Sequence, residues 1–96
     1  MSSLVVPNLH DATLIDLHFK WELGECVLRF GGSPFGPRGP CLLGWSDVSD
    51  FRLSRRVEWG PSVSVLEMVQ SGMNAWVIEM QSGDKLEITG NLSVDR

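Results

Sequence analysis

The sequence predicts an all-β protein, a single-domain antiparallel sandwich or partly open barrel of about six to eight short strands with little or no helix. Three observations carry that expectation. Residues 15 to 30 alternate apolar and polar side chains, turn-forming Gly, Pro, Asn and Asp interrupt the rest at short intervals, and no long stretch shows the 3.6-residue apolar period of a helix. At most one helical turn is expected, near Asn8 to Asp11 or Asp47 to Asp50.

The first hairpin is the clearest element. Folding the chain at Leu23-Gly24 sets Trp21 against Cys26, Phe19 against Leu28 and Leu17 against Phe30. This gives one apolar face, while His18, Lys20, Glu22, Glu25, Val27 and Arg29 take the other. Residues 31 to 40, with four Gly and three Pro, read as a loop that supports neither ladder nor helix. Cys41 to Ser46 resumes a strand, and a second hairpin pairing Phe30 with Cys41 sets Cys26 opposite Trp45. The two cysteines then lie ~13 Å apart along the strand direction, too far for a disulfide. Asp47 to Asp50 carries turn chemistry, and Phe51 and Leu53 alternate inward. Pro61 and Gly60 break the following segment.

From Ser62 to Gln70 the inward face changes parity between Val65 and Leu66, through either a β-bulge or burial on both faces. Gly72 reverses the chain. If Ser82-Gly83-Asp84 form a three-residue loop, Met80 meets Leu86 and Ile78 meets Ile88, whereas a two-residue loop puts Lys85 and Glu87 on that face instead, and Asn91 to Arg96 either adds a short last strand or frays.

A chain of 96 residues, 43% hydrophobic and 21% charged, fits one packed domain over residues 1–96. Its four Trp and four Phe are expected to fill much of the core. The net charge of −4 argues against a nucleic-acid surface, which needs clustered cations to displace counterions. The first residues lack a basic start and a long apolar run, and no segment approaches the ~20 apolar residues of a membrane helix. A cytoplasmic protein with reduced thiols and no membrane partner is therefore expected.

Catalytic and metal-binding patterns are weak. His10-Asp11 suggests acid-base chemistry, but neighbours on an extended strand point to opposite faces, so Asp11 reads as a turn or cap residue. His10, His18, Cys26 and Cys41 have no spacing that holds two metal ligands on one element. Neither a Gly-x-Ser-x-Gly elbow nor a phosphate loop is present. No catalytic residue, metal or cofactor is assigned. An enzyme would require His10 or His18 beside an acid in an interior cavity.

Arg55-Arg56-Val57-Glu58-Trp59-Gly60-Pro61-Ser62 is the most distinctive stretch. It joins two guanidinium groups, an aromatic anchor and a constrained turn, the residue types favoured at binding hot spots. Trp59 either anchors a partner or plugs one end of the fold. Phe35, with Arg38 on the same Gly/Pro-rich loop, is the second candidate. Arg52, Arg55 and Arg56 together form a candidate site for a carboxylate or phosphate, or they balance nearby acids.

The His10-Asp11-Ala12-Thr13-Leu14 opening, the Trp21-to-Phe30 hairpin, the Arg55-to-Ser62 stretch and the Ile78-to-Asp84 hairpin resemble a group of small uncharacterised bacterial proteins. More distantly they are similar to all-β immunity proteins that neutralise toxins from competing bacteria. The resemblance implies a compact β domain without catalysis and carries no functional residue with it. Taken together, the sequence points to a non-enzymatic protein-interaction module acting through Phe35, Arg38, Arg55, Arg56 and Trp59, with a protein or a second copy of itself as partner. The alternative is a small-ligand or anion-binding β-barrel that uses Arg52, Arg55 and Arg56.

Overall fold

The computed structural model describes residues 8–33 and 39–95. Six strands form, β1 (Leu14–Lys20), β2 (Glu25–Phe30), β3 (Cys41–Leu53), β4 (Val65–Gly72), β5 (Ala75–Met80) and β6 (Lys85–Asp95). They make one antiparallel sheet in the order β1-β2-β3-β6-β5-β4. The described residues contain no helix, and none of them forms a helix long and apolar enough to cross a membrane.

Two long strands bend the sheet into a wrapped core. Cys41–Trp45 of β3 pairs with β2, while β3 also pairs along its length with β6. The β3–β6 register shifts between Ser46 and Asp50. Gly90 sits at that bend, where a Cβ would lie 3.0 Å from the Ser46 carbonyl oxygen and 3.1 Å from Val48 Cγ2. A larger side chain would separate the crossing strands. Inside the bend, Leu28, Phe30, Leu43, Trp45, Ile78 and Ile88 belong to one buried cluster, each such side chain contributing about 1.5–3 kcal/mol of transfer free energy.

The curled sheet meets itself beside β1. Thr13 and Ser64 form an antiparallel bridge. The Leu14 N–H donates to the Val63 carbonyl at 2.8 Å, and the Val65 N–H donates to the Ala12 carbonyl at 2.8 Å. Beyond this contact β1 is a sheet edge, so the expected all-β architecture takes the form of a partly open barrel.

Several details differ from expectation. In the first hairpin Phe19 faces Cys26 and Leu17 faces Leu28, one pair away from the predicted register. The turn takes all of Trp21 to Gly24, which leaves Trp21 88% exposed. The apolar face survives because the displacement is by two residues, a full side-chain period. The last hairpin slips the same way: Ile78 faces Leu86 and Trp76 faces Ile88, because the Met80 N–H donates to the Asp84 carbonyl and the loop is Gln81 to Gly83. Asp47 to Asp50 is not a chain reversal but an irregular stretch inside β3, with Asp47 at φ 51°.

Leu53, expected inside, is 52% exposed, since β3 ends there at the rim of the sheet. Residues from Asn91 to Asp95 neither fray nor form a separate strand; they continue β6 against β3. The second hairpin keeps its predicted pairs, Phe30 with Cys41 and Cys26 with Trp45, and the two buried cysteines form no disulfide with each other. The parity change after Val65 is a register irregularity between Val65 and Glu67, the bulge alternative.

Candidate functional site

A buried carboxylate organises the most distinctive segment. Asp84 leaves the β5–β6 turn, and its oxygens accept hydrogen bonds from the Arg56 N–H at 2.6 Å and the Val57 N–H at 2.9 Å. The Ser82 hydroxyl donates to it at 2.8 Å and the Ser54 hydroxyl at 3.4 Å. The Arg56 N–H above all, with Ser82, Val57 and Ser54, holds the Asp84 carboxyl below the usual carboxylate range against the opposing effect of burial. One side chain thus ties residues 54–57, where the chain leaves β3, to the turn that opens the neighbouring strand β6.

The tether also holds strain. Val57 has φ 49°, a left-handed conformation that a β-branched residue rarely adopts. The two N–H donors on either side of the Arg56 α-carbon converge on the same carboxylate, which fixes the backbone leading into this kink. The Gly60 N–H then donates to the Val57 carbonyl at 3.0 Å, and the Trp59 N–H donates to the Ser82 carbonyl at 2.9 Å. Gly83 completes the arrangement. Its φ is +92°, and a Cβ there would come within 3.1 Å of Trp59 Cδ2 and Cε3. The indole therefore rests on the bare glycine backbone while 74% of Trp59 remains exposed. Trp59 does not plug the fold; it is an aromatic held from beneath and open above.

Beside this loop runs a cleft of about 330 Å³ lined by residues that include Leu14, Leu17, Leu53, Arg55, Val57 and Val63. Arg55 thus borders the cleft, whereas Arg56 is exposed and is tethered through its backbone. Arg52 lies elsewhere. Its Nε is 3.2 Å from Asp50 Oδ2, in a depression formed with Ala75, Val77 and Glu87. The three arginines of the anion-binding candidate are not gathered at one cleft. Phe35 and Arg38 lie outside the described residues.

The histidines occupy different settings. His18 is exposed on the polar face of the first hairpin, opposite Val27. His10 and Asp11 sit in a turn, with Asp11 at φ 64°. Because the chain there is not extended, His10 Nε2 comes within 3.6 Å of Asp11 Oδ2. His10 Nδ1 is 2.7 Å from the Leu66 carbonyl, and the Gln81 amide donates to Asp11 Oδ1. The turn reading of Asp11 agrees with this geometry, and its carboxylate accepts a side-chain donor, the Gln81 amide. These contacts fasten the N-terminal turn to β4 and to the β5–β6 turn. Among the described residues no group of three or more His, Cys, Asp or Glu is placed to hold a metal ion.

Sequence reasoning missed Asp84. Its signal is local, a Ser-Gly-Asp turn before a strand, but its partners lie 27 and 28 residues away. No protein-family model matches the chain, and no curated protein matches it. A solved structure does: an uncharacterized protein from Neisseria gonorrhoeae is similar with a TM-score of 0.62 at 14% identity. The match covers 91% of this chain and 92% of that one, and at this identity the likeness is one of fold.

Proposed function

We propose that this protein is a non-enzymatic binding module whose partner is another protein, engaged through the Arg55–Trp59 loop. The observation that carries the reading is Trp59, an exposed indole whose backbone is bonded to Ser82 and whose ring lies on Gly83. Holding a large aromatic in place before binding lowers the ordering cost that an interface must otherwise meet. Two exposed arginines beside it supply the directed polar contacts typical of hot spots. The resemblance to toxin-neutralising immunity proteins points to the same class of partner.

The test is co-purification from the source cells with the full chain. Wild type and Met73→Ala, altered at the β4–β5 turn, are expected to retain the same partner. Trp59→Ala and the Arg55→Ala/Arg56→Ala double variant are expected to lose it. Equal retention by all four proteins would remove Trp59 from the interface. A thermal-shift screen against carboxylates and phosphates addresses the small-ligand alternative, since a ligand at ~100 times its Kd stabilises by about 2.7 kcal/mol.

A further inference from the structure

We infer that β1 is a self-association edge, on which a second copy of this chain pairs antiparallel about a two-fold axis through His18. Trp59 is not part of this surface, although Arg55 lines the same cleft. β1 has β2 on one side, and past its short contact with Val63 and Ser64 it has no strand on the other among the described residues. Along that open side lies the cleft lined by Ile15, Leu17, Leu53 and Val63, three of which, Ile15, Leu53 and Val63, are among the exposed large hydrophobics. An unpaired strand edge beside exposed apolar side chains is a template for another strand.

The sequence of the edge selects its occupant. Leu17 and Phe19 lie on the inner face, while Asp16, His18 and Lys20 lie on the outer one. Two copies can pair antiparallel with matching faces only in registers that oppose residues of the same parity. Centring on Leu17 sets Asp16 against His18 of the partner subunit, and centring on Phe19 sets His18 against Lys20 of the partner subunit. Centring on His18 sets Asp16 against Lys20 of the partner subunit twice over, one pair on each side of the axis. Directly opposed unlike charges stabilise a strand pair and like charges weaken it. In this register Leu17 faces Phe19 of the partner subunit, and the added strand directs apolar side chains into the cleft.

β4, the other edge, lacks such a code. Its charged residue is Glu67, and the N-terminal turn already meets it at Val65 and Leu66. An isologous β1 contact also closes after two copies, whereas a β1–β4 contact would propagate into a filament.

Charge exchange at Asp16 and Lys20 tests the register by sedimentation equilibrium at concentrations up to ~1 mM. Wild type is expected to dimerise. Asp16→Lys and Lys20→Asp, each placing like charges opposite one another, should each weaken the dimer at least tenfold, with folding verified by circular dichroism. An equimolar mixture of the two should form a heterodimer, and the Asp16→Lys/Lys20→Asp chain should recover the homodimer. Asp16 also meets Arg29 at 2.5 Å, but this exposed pair contributes little to folding. A monomeric wild type, single variants that dimerise as wild type does, or a mixture that stays monomeric would each overturn the inference. Trp59→Ala should leave the dimer unchanged, so the two interfaces can fail independently.

Discussion

Replacing Gly83 with Ala perturbs the support beneath Trp59, and the structure fixes what it should cost. At φ +92° an L-residue is strained, and that part amounts to about 1–2 kcal/mol. The new methyl would also stand 3.1 Å from two indole carbons, closer than ordinary van der Waals contact, so the exposed ring must tilt away. Because that ring is free on its outer side, the tilt adds little to the strain. A total loss of about 1–2 kcal/mol corresponds to a fall in Tm of about 5–15 °C for a domain of this size. Thermal and urea unfolding followed by circular dichroism measure it. The same substitution in a Trp59→Ala chain separates the contributions, since the backbone strain remains while the contact with the ring disappears. Gly83→Ala should also change the fluorescence of Trp59. A variant as stable as wild type would refute the turn geometry, and a destabilised variant with unaltered Trp59 emission would refute the stacking.

Other consequences concern the buried groups. Asp84 has a lowered folded-state pKa, so its contribution to stability is complete above the unfolded carboxylate value of about 3.9. It is lost as pH falls through the folded value. Asp84→Asn should therefore lower the urea midpoint at neutral pH and flatten its acid dependence. Burial pushes the Cys26 thiol up to about 11, so in the native protein at pH 8 it should react with a disulfide reagent far more slowly than in urea. Leu28→Ala, at a fully buried site, should cost about 2–5 kcal/mol. Trp21→Ser, on an exposed turn, should change stability by no more than about 0.5 kcal/mol.

The fold was legible in the sequence where a period of two governs it. Leu17, Phe19, Cys26, Leu28 and Phe30 share a face as their spacing demands, and Phe30–Cys41 pairing follows from the same pattern. Register was less legible in the first and last hairpins. A slip of one pair keeps every side chain on its face, so hydrophobic alternation cannot detect it. The turn decides instead, and the four residues Trp21 to Gly24 consume the tryptophan that alternation would place in the core. The bend in β3 was hidden for a different reason: Asp47 and Asp50 read locally as a chain reversal, but pairing with β6 carries the strand through.

The candidate site was legible as composition, since Arg55, Arg56 and Trp59 lie on one exposed loop. Its rigidity was not, because that comes from Asp84 and Gly83 on a distant turn. The proposed anion cluster divides for a similar reason. Arg52 is still on β3 opposite Glu87, whereas Arg55 has passed the strand end into the loop.

The claim that Trp59 is both open to solvent and held still can be measured by ¹⁹F NMR of protein labelled with 5-fluorotryptophan, the four signals assigned by single Trp→Phe substitutions. Trp59 should show the solvent-isotope shift of an exposed ring, as Trp21 does, together with the slow-tumbling relaxation of the core residues Trp45 and Trp76. A Trp59 signal that relaxes as a freely rotating side chain, or one shielded from solvent like Trp45, would contradict the account.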